Sequence, residues 1–179
     1  LEEVSAMNIR VRFSKHGCLK FIGHLDVMRY FQKAMRRAEI DMCYSEGFSP
    51  HMIMSFASPL GLGLESDGEY MDISVKQSPS SKEAVERLNA VMAEGIKVLS
   101  WRELPENSKN AMASVAAAGY TVTFREGRGP HFDLAAAVER FLKKDEILIT
   151  KETKKGSREI NLKEGIYELK ALDGNSLYL

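Results

Sequence analysis

Between Lys20 and Pro59 the chain reads KFIGHLDVMRYFQKAMRRAEIDMCYSEGFSPHMIMSFASP. Arg29, Lys33, Arg36 and Arg37 recur at helical spacing, and a turn-rich stretch containing Gly47, Ser49, Pro50 and His51 follows. Cations held along one side of a helix can grip phosphates, a contact largely independent of base sequence and sensitive to salt. Glycine lets a backbone approach a ligand closely, while Ser and His donate hydrogen bonds. His51 is also a candidate proton shuttle. Tyr30, Tyr44 and Phe48 offer rings on which unpaired bases could stack. The candidate surface for RNA or a partner protein comprises Arg10, Arg12, Lys20, His24, Arg29, Lys33, Arg36, Arg37, Tyr44, Ser45, Gly47, Phe48, Ser49, His51 and Ser55. Each feature has a plainer reading. A charged stripe can be a solvated helix face, aromatics can be packing residues, and the loop side chains can satisfy their own backbone.

Other chemistry finds less support. His16, Cys18, His24, Cys43 and His51 offer soft ligands that suit zinc, but their spacing matches no familiar zinc pattern. No metal site and no cofactor is therefore expected. No obvious carboxylate–histidine–nucleophile set surrounds His51 in sequence, so an acid–base site acting on a nucleotide is a third reading only. PLGLGLES lacks the Gly-Lys-Ser/Thr ending of a phosphate loop, and Gly61 with Gly63 is too short for a dinucleotide fingerprint. A tight bend explains it.

Composition sets the frame. At 179 residues, with 44% hydrophobic and 28% charged content, the chain can bury one real core or two small ones. Formal net charge is zero, which argues against indiscriminate polyanion binding. Its distribution is uneven: residues 1–39 hold 8 Lys and Arg against 4 Asp and Glu, whereas residues 40–118 hold 6 against 11. A focused anion site at the start of the chain fits that imbalance. No apolar run reaches membrane-spanning length and no secretory segment is evident, so a cytoplasmic protein without membrane partners is expected. Cys18 and Cys43 are expected to be reduced thiols. Met7 reads as a natural start, with the six residues before it as an expression remnant.

Periodicity assigns the elements that carry these residues. Asn8 to Ser14 alternates, with Ile9, Val11 and Phe13 on one face and Arg10 and Arg12 on the other, as a half-buried strand does. His24 to Glu39 reads as a helix, with Leu25, Met28, Phe31, Met35 and Ala38 as its apolar stripe. Strands are expected over Met52–Ala57 and Glu69–Lys76, a helix from Ser80 or Ser81 to about Glu94, and a strand over Ile96–Arg102. The order βαββαβ predicts an α+β, ferredoxin-like domain over 7–104 with both helices on one face of an antiparallel sheet. Residues 105–118 read as a linker or a short helix. Residues 119–179 read as a second α+β unit: a strand at Gly119–Glu126, a helix at Phe132–Lys144, then strands near 146–151, 158–162 and 166–172. That is an incomplete ferredoxin-like βαββ unit, or a clipped chain.

FSKHGCLKFIGHLDVMRYFQKAMRRAEI, followed by YSEGFSPH and SFASPLGLGL, resembles a bacterial family of radical-SAM-linked proteins, a domain of unknown function. The likeness is strong over about residues 8–76 and looser beyond. That family commonly has Pro after the loop histidine, where this chain has Met52. The resemblance implies a module that stands beside or is fused to a radical SAM enzyme and sometimes neighbours ribonuclease G. The radical chemistry itself needs a cubane cluster held by three closely spaced thiolates. Two cysteines 25 positions apart do not supply it, so this chain is not the radical enzyme. The expected role is a non-catalytic accessory module that binds RNA or serves RNA processing. The alternative is a protein-interaction or substrate-presenting partner of a radical SAM protein.

Overall fold

The alternation in NIRVRFS becomes strand β1 (Met7–Lys15), an inner strand of a four-stranded antiparallel sheet. The structure, a computed structural model, describes residues 6–153 and 156–179. It divides into one unit ending at Ala116 and another spanning Ala117–Leu179.

In the first unit, β1 is followed by a 3-10 turn (Gly17–Phe21), helix α1 (His24–Arg37), β2 (Met54–Phe56), β3 (Ser66–Val75), α2 (Ser81–Val91) and β4 (Ile96–Glu103). The sheet order is β2-β3-β1-β4, every neighbouring pair antiparallel, as a ferredoxin-like unit requires. Ile9, Val11 and Phe13 of β1 and Met71, Ile73 and Val75 of β3 join Phe31, Met35, Ala84 and Leu88 of the helices in one core. Both helices therefore pack on the same sheet face. Phe13, Phe31 and Phe56 form its aromatic centre, with ring centroids 4.7 Å apart for Phe13–Phe31 and 5.9 Å for Phe13–Phe56.

The α1 stripe differs from the expected one in its first member. Leu25 is 59% exposed, and the buried residues of the helix are Val27, Phe31, Ala34 and Met35. Shifting the stripe by this small rotation keeps Phe31 and Met35 central and turns Leu25 out. The helix ends at Arg37, and Glu39 takes a left-handed φ of 53° as the chain turns away. Ile40, Met42 and Met52 then enter the core, with Met42 bridging Val75 and Met52 bridging Tyr44. The strand expected over Met52–Ala57 is thus shortened to β2. Gly95, between α2 and β4, has φ +99°, and a Cβ there would meet the His16 carbonyl at 2.7 Å. Only glycine fits both demands.

The expected linker is partly built into the first unit. Asn110 caps a short helix, α3 (Ala111–Ser114), by accepting from the Ala113 amide at 2.8 Å. Ala111 is buried, and its amide donates to Asp72 Oδ2 at 2.6 Å.

The second unit is also α+β with antiparallel pairing, compatible with an incomplete ferredoxin-like unit. It holds β5 (Thr121–Thr123), α4 (Leu134–Leu142), β6 (Leu148–Thr153), β7 (Gly156–Asn161), β8 (Lys170–Asp173) and β9 (Ser176–Tyr178). Its strands are divided: β5-β9-β8 form one sheet, and β6-β7 pair by themselves. Strand β9, too short to register in the alternation pattern, supplies the partner of β5. Among the described residues, no helix is long and apolar enough to cross a membrane.

Candidate functional site

Helix α1 begins with Asp26 in its first turn and ends with Arg36 and Arg37 in its last, both favourable toward the helix dipole. Arg29, Lys33 and Arg36 stand at i, i+4 and i+7, opposite the buried stripe, and all are exposed. The run from Arg29 to Arg36 covers about 10 Å along the helix axis. Arg29 Nη1 lies 3.2 Å from Asp26 Oδ1 on the open surface, a contact worth little in water. Lys33 and Arg36 make no hydrogen bond or ion pair among the described residues. Arg37 is used differently. Its Nη2 donates to the Val91 carbonyl at 3.1 Å, closing the C-terminal end of α2.

The serine–histidine loop closes on itself. The Ser45 amide donates to the His51 carbonyl at 2.9 Å, Ser45 Oγ lies 2.8 Å from His51 Nδ1, and the His51 amide donates to Ser45 Oγ at 3.1 Å. Between them, Gly47 takes φ +102° and Phe48 stands fully exposed beside exposed Ser49. Tyr44 is partly exposed at the base of this turn. Ser45 and His51 thus satisfy the loop's own polar groups, as the plainer reading held. Among the described residues, no carboxylate bonds His51.

Arg10 and Arg12 sit elsewhere. Their neighbours Ile9, Val11 and Phe13 point into the helix-covered core, so these two arginines project from the opposite, open face of the sheet. Arg10 is a structural clamp. Its Nε and Nη2 reach Asp72 at 2.8 and 2.9 Å, and Nη2 also donates to the Lys109 carbonyl at 2.8 Å. The hydrogen bond to Asp72, opposed by burial, raises the guanidinium's already high pKa. Arg12 lies over Gly68 and donates to the Asp67 carbonyl at 3.2 Å. Ser55, exposed on β2, is in register with Asp72 on the same open face.

Lys20 and His24 are also engaged locally. Lys20 Nζ pairs with Glu65 Oε1 at 3.1 Å, while His24 meets the Phe56 ring edge-on at 5.1 Å. The hydrogen bonds from Lys20 and His16 hold the Glu65 carboxyl below its usual range. The candidate residues therefore fall into separate groups: the outer face of α1, the self-bonded loop, the open sheet face and the anchors around Glu65. No hydrogen bond, ion pair or ring contact among the described residues joins the α1 cations to the loop. A small surface cleft of this unit is lined by Phe13, Lys15, His24, Val27, Phe56, Ser58, Pro59, Leu60 and Glu69, and includes neither group.

That cleft shows what pattern reading missed. Lys15 is 2% exposed, and its ammonium donates to the Ile22 carbonyl at 3.2 Å. Burial lowers its pKa, and the Glu69 charge opposes the shift. The parity of β1 already placed Lys15 with Ile9, Val11 and Phe13, so the signal was present. The volume is about 10 Å³, room for no more than a water. We read Lys15 as the tether of the turn that precedes α1. Cys18 and Cys43 are free thiols, and no group of three or more His, Cys, Asp or Glu among the described residues could hold a metal ion.

Residues 8–179 match the family described as an uncharacterized protein conserved in bacteria (DUF2344). No curated protein matches the chain. The chain belongs to that bacterial family.

Proposed function

We propose that this family member is a non-catalytic accessory module that binds RNA through the outer face of α1. Arg29, Lys33 and Arg36 contact phosphates, and the module works in the cytoplasm beside a radical SAM enzyme, as the resemblance in its first half implies. The observation that carries this reading is that Lys33 and Arg36 are exposed on one stripe with no carboxylate set against them. Elsewhere in the same unit, Arg10, Lys20, Lys76 and Arg87 each have an acidic partner. Cations left unneutralised at fixed helical spacing suit a polyanion whose charges also repeat.

Purification without nuclease provides the test. RNA accompanies the parent chain and is lost from R29E/K33E/R36E, read from the absorbance ratio and by sequencing the bound material. An RNA-free parent preparation that also fails to bind added RNA ends this reading.

A second reading rests on Phe21, Leu25 and Phe48, large apolar side chains left exposed on the 3-10 turn, α1 and the loop. Here these side chains dock a radical SAM protein, and the α1 arginines meet its carboxylates. Affinity purification from a host that encodes such an enzyme recovers it under this reading even after nuclease treatment, whereas under the first reading RNA accompanies the parent chain.

A further inference from the structure

The sheet face opposite the helices carries a pattern that α1 does not. In register across β3, β1 and β4 stand Tyr70, Arg12 and Ser100, and in the next row Asp72, Arg10 and Arg102. Lys97 follows along β4, opposite Ser14. Tyr70 is 39% exposed on an inner strand, and Arg12, Lys97, Ser100 and Arg102 are exposed around it. Among the described residues, Asp72 is the carboxylate in register on this face, and Arg10 already neutralises it. Segment 109–114 is bonded over the Asp72 end through Ala111 and Lys109. The part left open has an exposed ring on β3 beside Arg12 of β1, with Arg102 and Lys97 one strand further on, on β4.

We propose that this open half of the sheet is a binding surface for single-stranded nucleic acid. One unpaired base stacks on Tyr70, while Arg12, Arg102 and Lys97 hold the adjoining phosphates. The inference rests on the proposed RNA-binding role and assigns it a second, base-stacking contact surface. Stacking on a ring needs a base freed from pairing, so a duplex does not suit this site. Cross-strand neighbours place Tyr70 and Arg12 with their Cβ atoms about 5 Å apart, close enough for one nucleotide to touch both. Strands about 4.8 Å apart give the open half a width of about two or three nucleotides. An acidic peptide would use the cations equally well but gain nothing specific from the ring.

The test compares the parent, Y70A, Y70F, Y70L, R12Q/R102Q and R29E/K33E/R36E by fluorescence anisotropy with a labelled single-stranded RNA 12-mer and the matching duplex. Thermal midpoints are measured alongside. Y70A and Y70L weaken single-strand binding about tenfold, Y70F keeps it, and duplex binding does not change with any of the three. R12Q/R102Q weakens binding and makes the salt slope shallower by one to two units. Y70L preserves apolar bulk, so it decides the matter if Y70A unfolds. Parent-like binding by folded Y70L overturns the sheet site and leaves the RNA role standing. Loss in R12Q/R102Q without loss in Y70L also overturns it, in favour of a purely charged partner. A parent that binds no RNA overturns both readings together.

Discussion

The two units of this chain bury their side chains very differently. The first gathers Ile9, Val11, Phe13, Phe31, Met35, Met71, Ile73, Leu88 and Trp101 into one continuous core. Among the described residues of the second, the buried apolar side chains are Leu134 and Ile147, while Tyr120, Val122, Phe132, Leu148, Tyr167 and Leu172 stand exposed. The difference follows from topology. A four-stranded sheet carrying two helices on one face encloses a layer between them. A three-stranded sheet and a separate hairpin, accompanied by one nine-residue helix, enclose much less. Stability in the first unit is therefore a property of its core, and its surface is free to carry function.

The sharpest challenge to this contrast is Phe31→Ala. It removes the ring between Phe13 and Phe56 and should cost about 3–5 kcal/mol in denaturant unfolding. Leu134→Ala, in the second unit, should cost about 2 kcal/mol, the low end for such a change, because its unit buries few other apolar side chains beside it. Equal costs at the two positions would erase the distinction. Asp72→Ala frees the Arg10 fork and the Ala111 amide, and should cost about 2 kcal/mol. Hydrogen exchange should then rise at residues 109–114 while α1 stays protected. Ser80→Ala deletes the α2 cap and Asp133→Ala the α4 cap, each at about 1 kcal/mol. The first should lower the main unfolding transition, and the second should loosen α4 alone.

The smallest effect is on pH dependence. Glu65 has a folded pKa held below its ordinary 4.5 by Lys20 first and His16 second. Its ionised form is favoured by folding, so its stabilising contribution is present above the ordinary value and fades as pH falls through the lowered one. Glu65→Gln should flatten that part of the acid limb in thermal melts between neutral pH and pH 3. An unchanged acid limb would remove Glu65 from the anchoring of the turn before α1.

Much of the first unit was legible because its patterns are local. The parity of β1 and β3 sorted Ile9, Val11, Phe13, Met71, Ile73 and Val75 from Arg10, Arg12, Tyr70 and Asp72 without any tertiary knowledge. Leu25 turns outward because a stripe can rotate by one position and still contain Phe31 and Met35. The site was harder. Parity says which face of the sheet Arg10 occupies, but not that Asp72, 62 residues away, neutralises it. Nor does helical spacing say on which side of the sheet a helix will pack, so sequence alone grouped α1 cations with arginines that face the other way. In the second unit, strand pairs such as Thr121 with Tyr178 join distant three-residue pieces whose alternation is too short to detect.

The central claim is that the exposed cations on α1 hold RNA phosphates, and the salt dependence of affinity measures this most directly. If Arg29, Lys33 and Arg36 each displace one counterion, their share of the slope of log affinity against log salt is about −2 for a single strand. R29E/K33E/R36E, with an unchanged melting curve, should lose at least that share and bind far more weakly at 50 mM salt. A folded triple variant with the parent's affinity and the parent's slope would contradict the account.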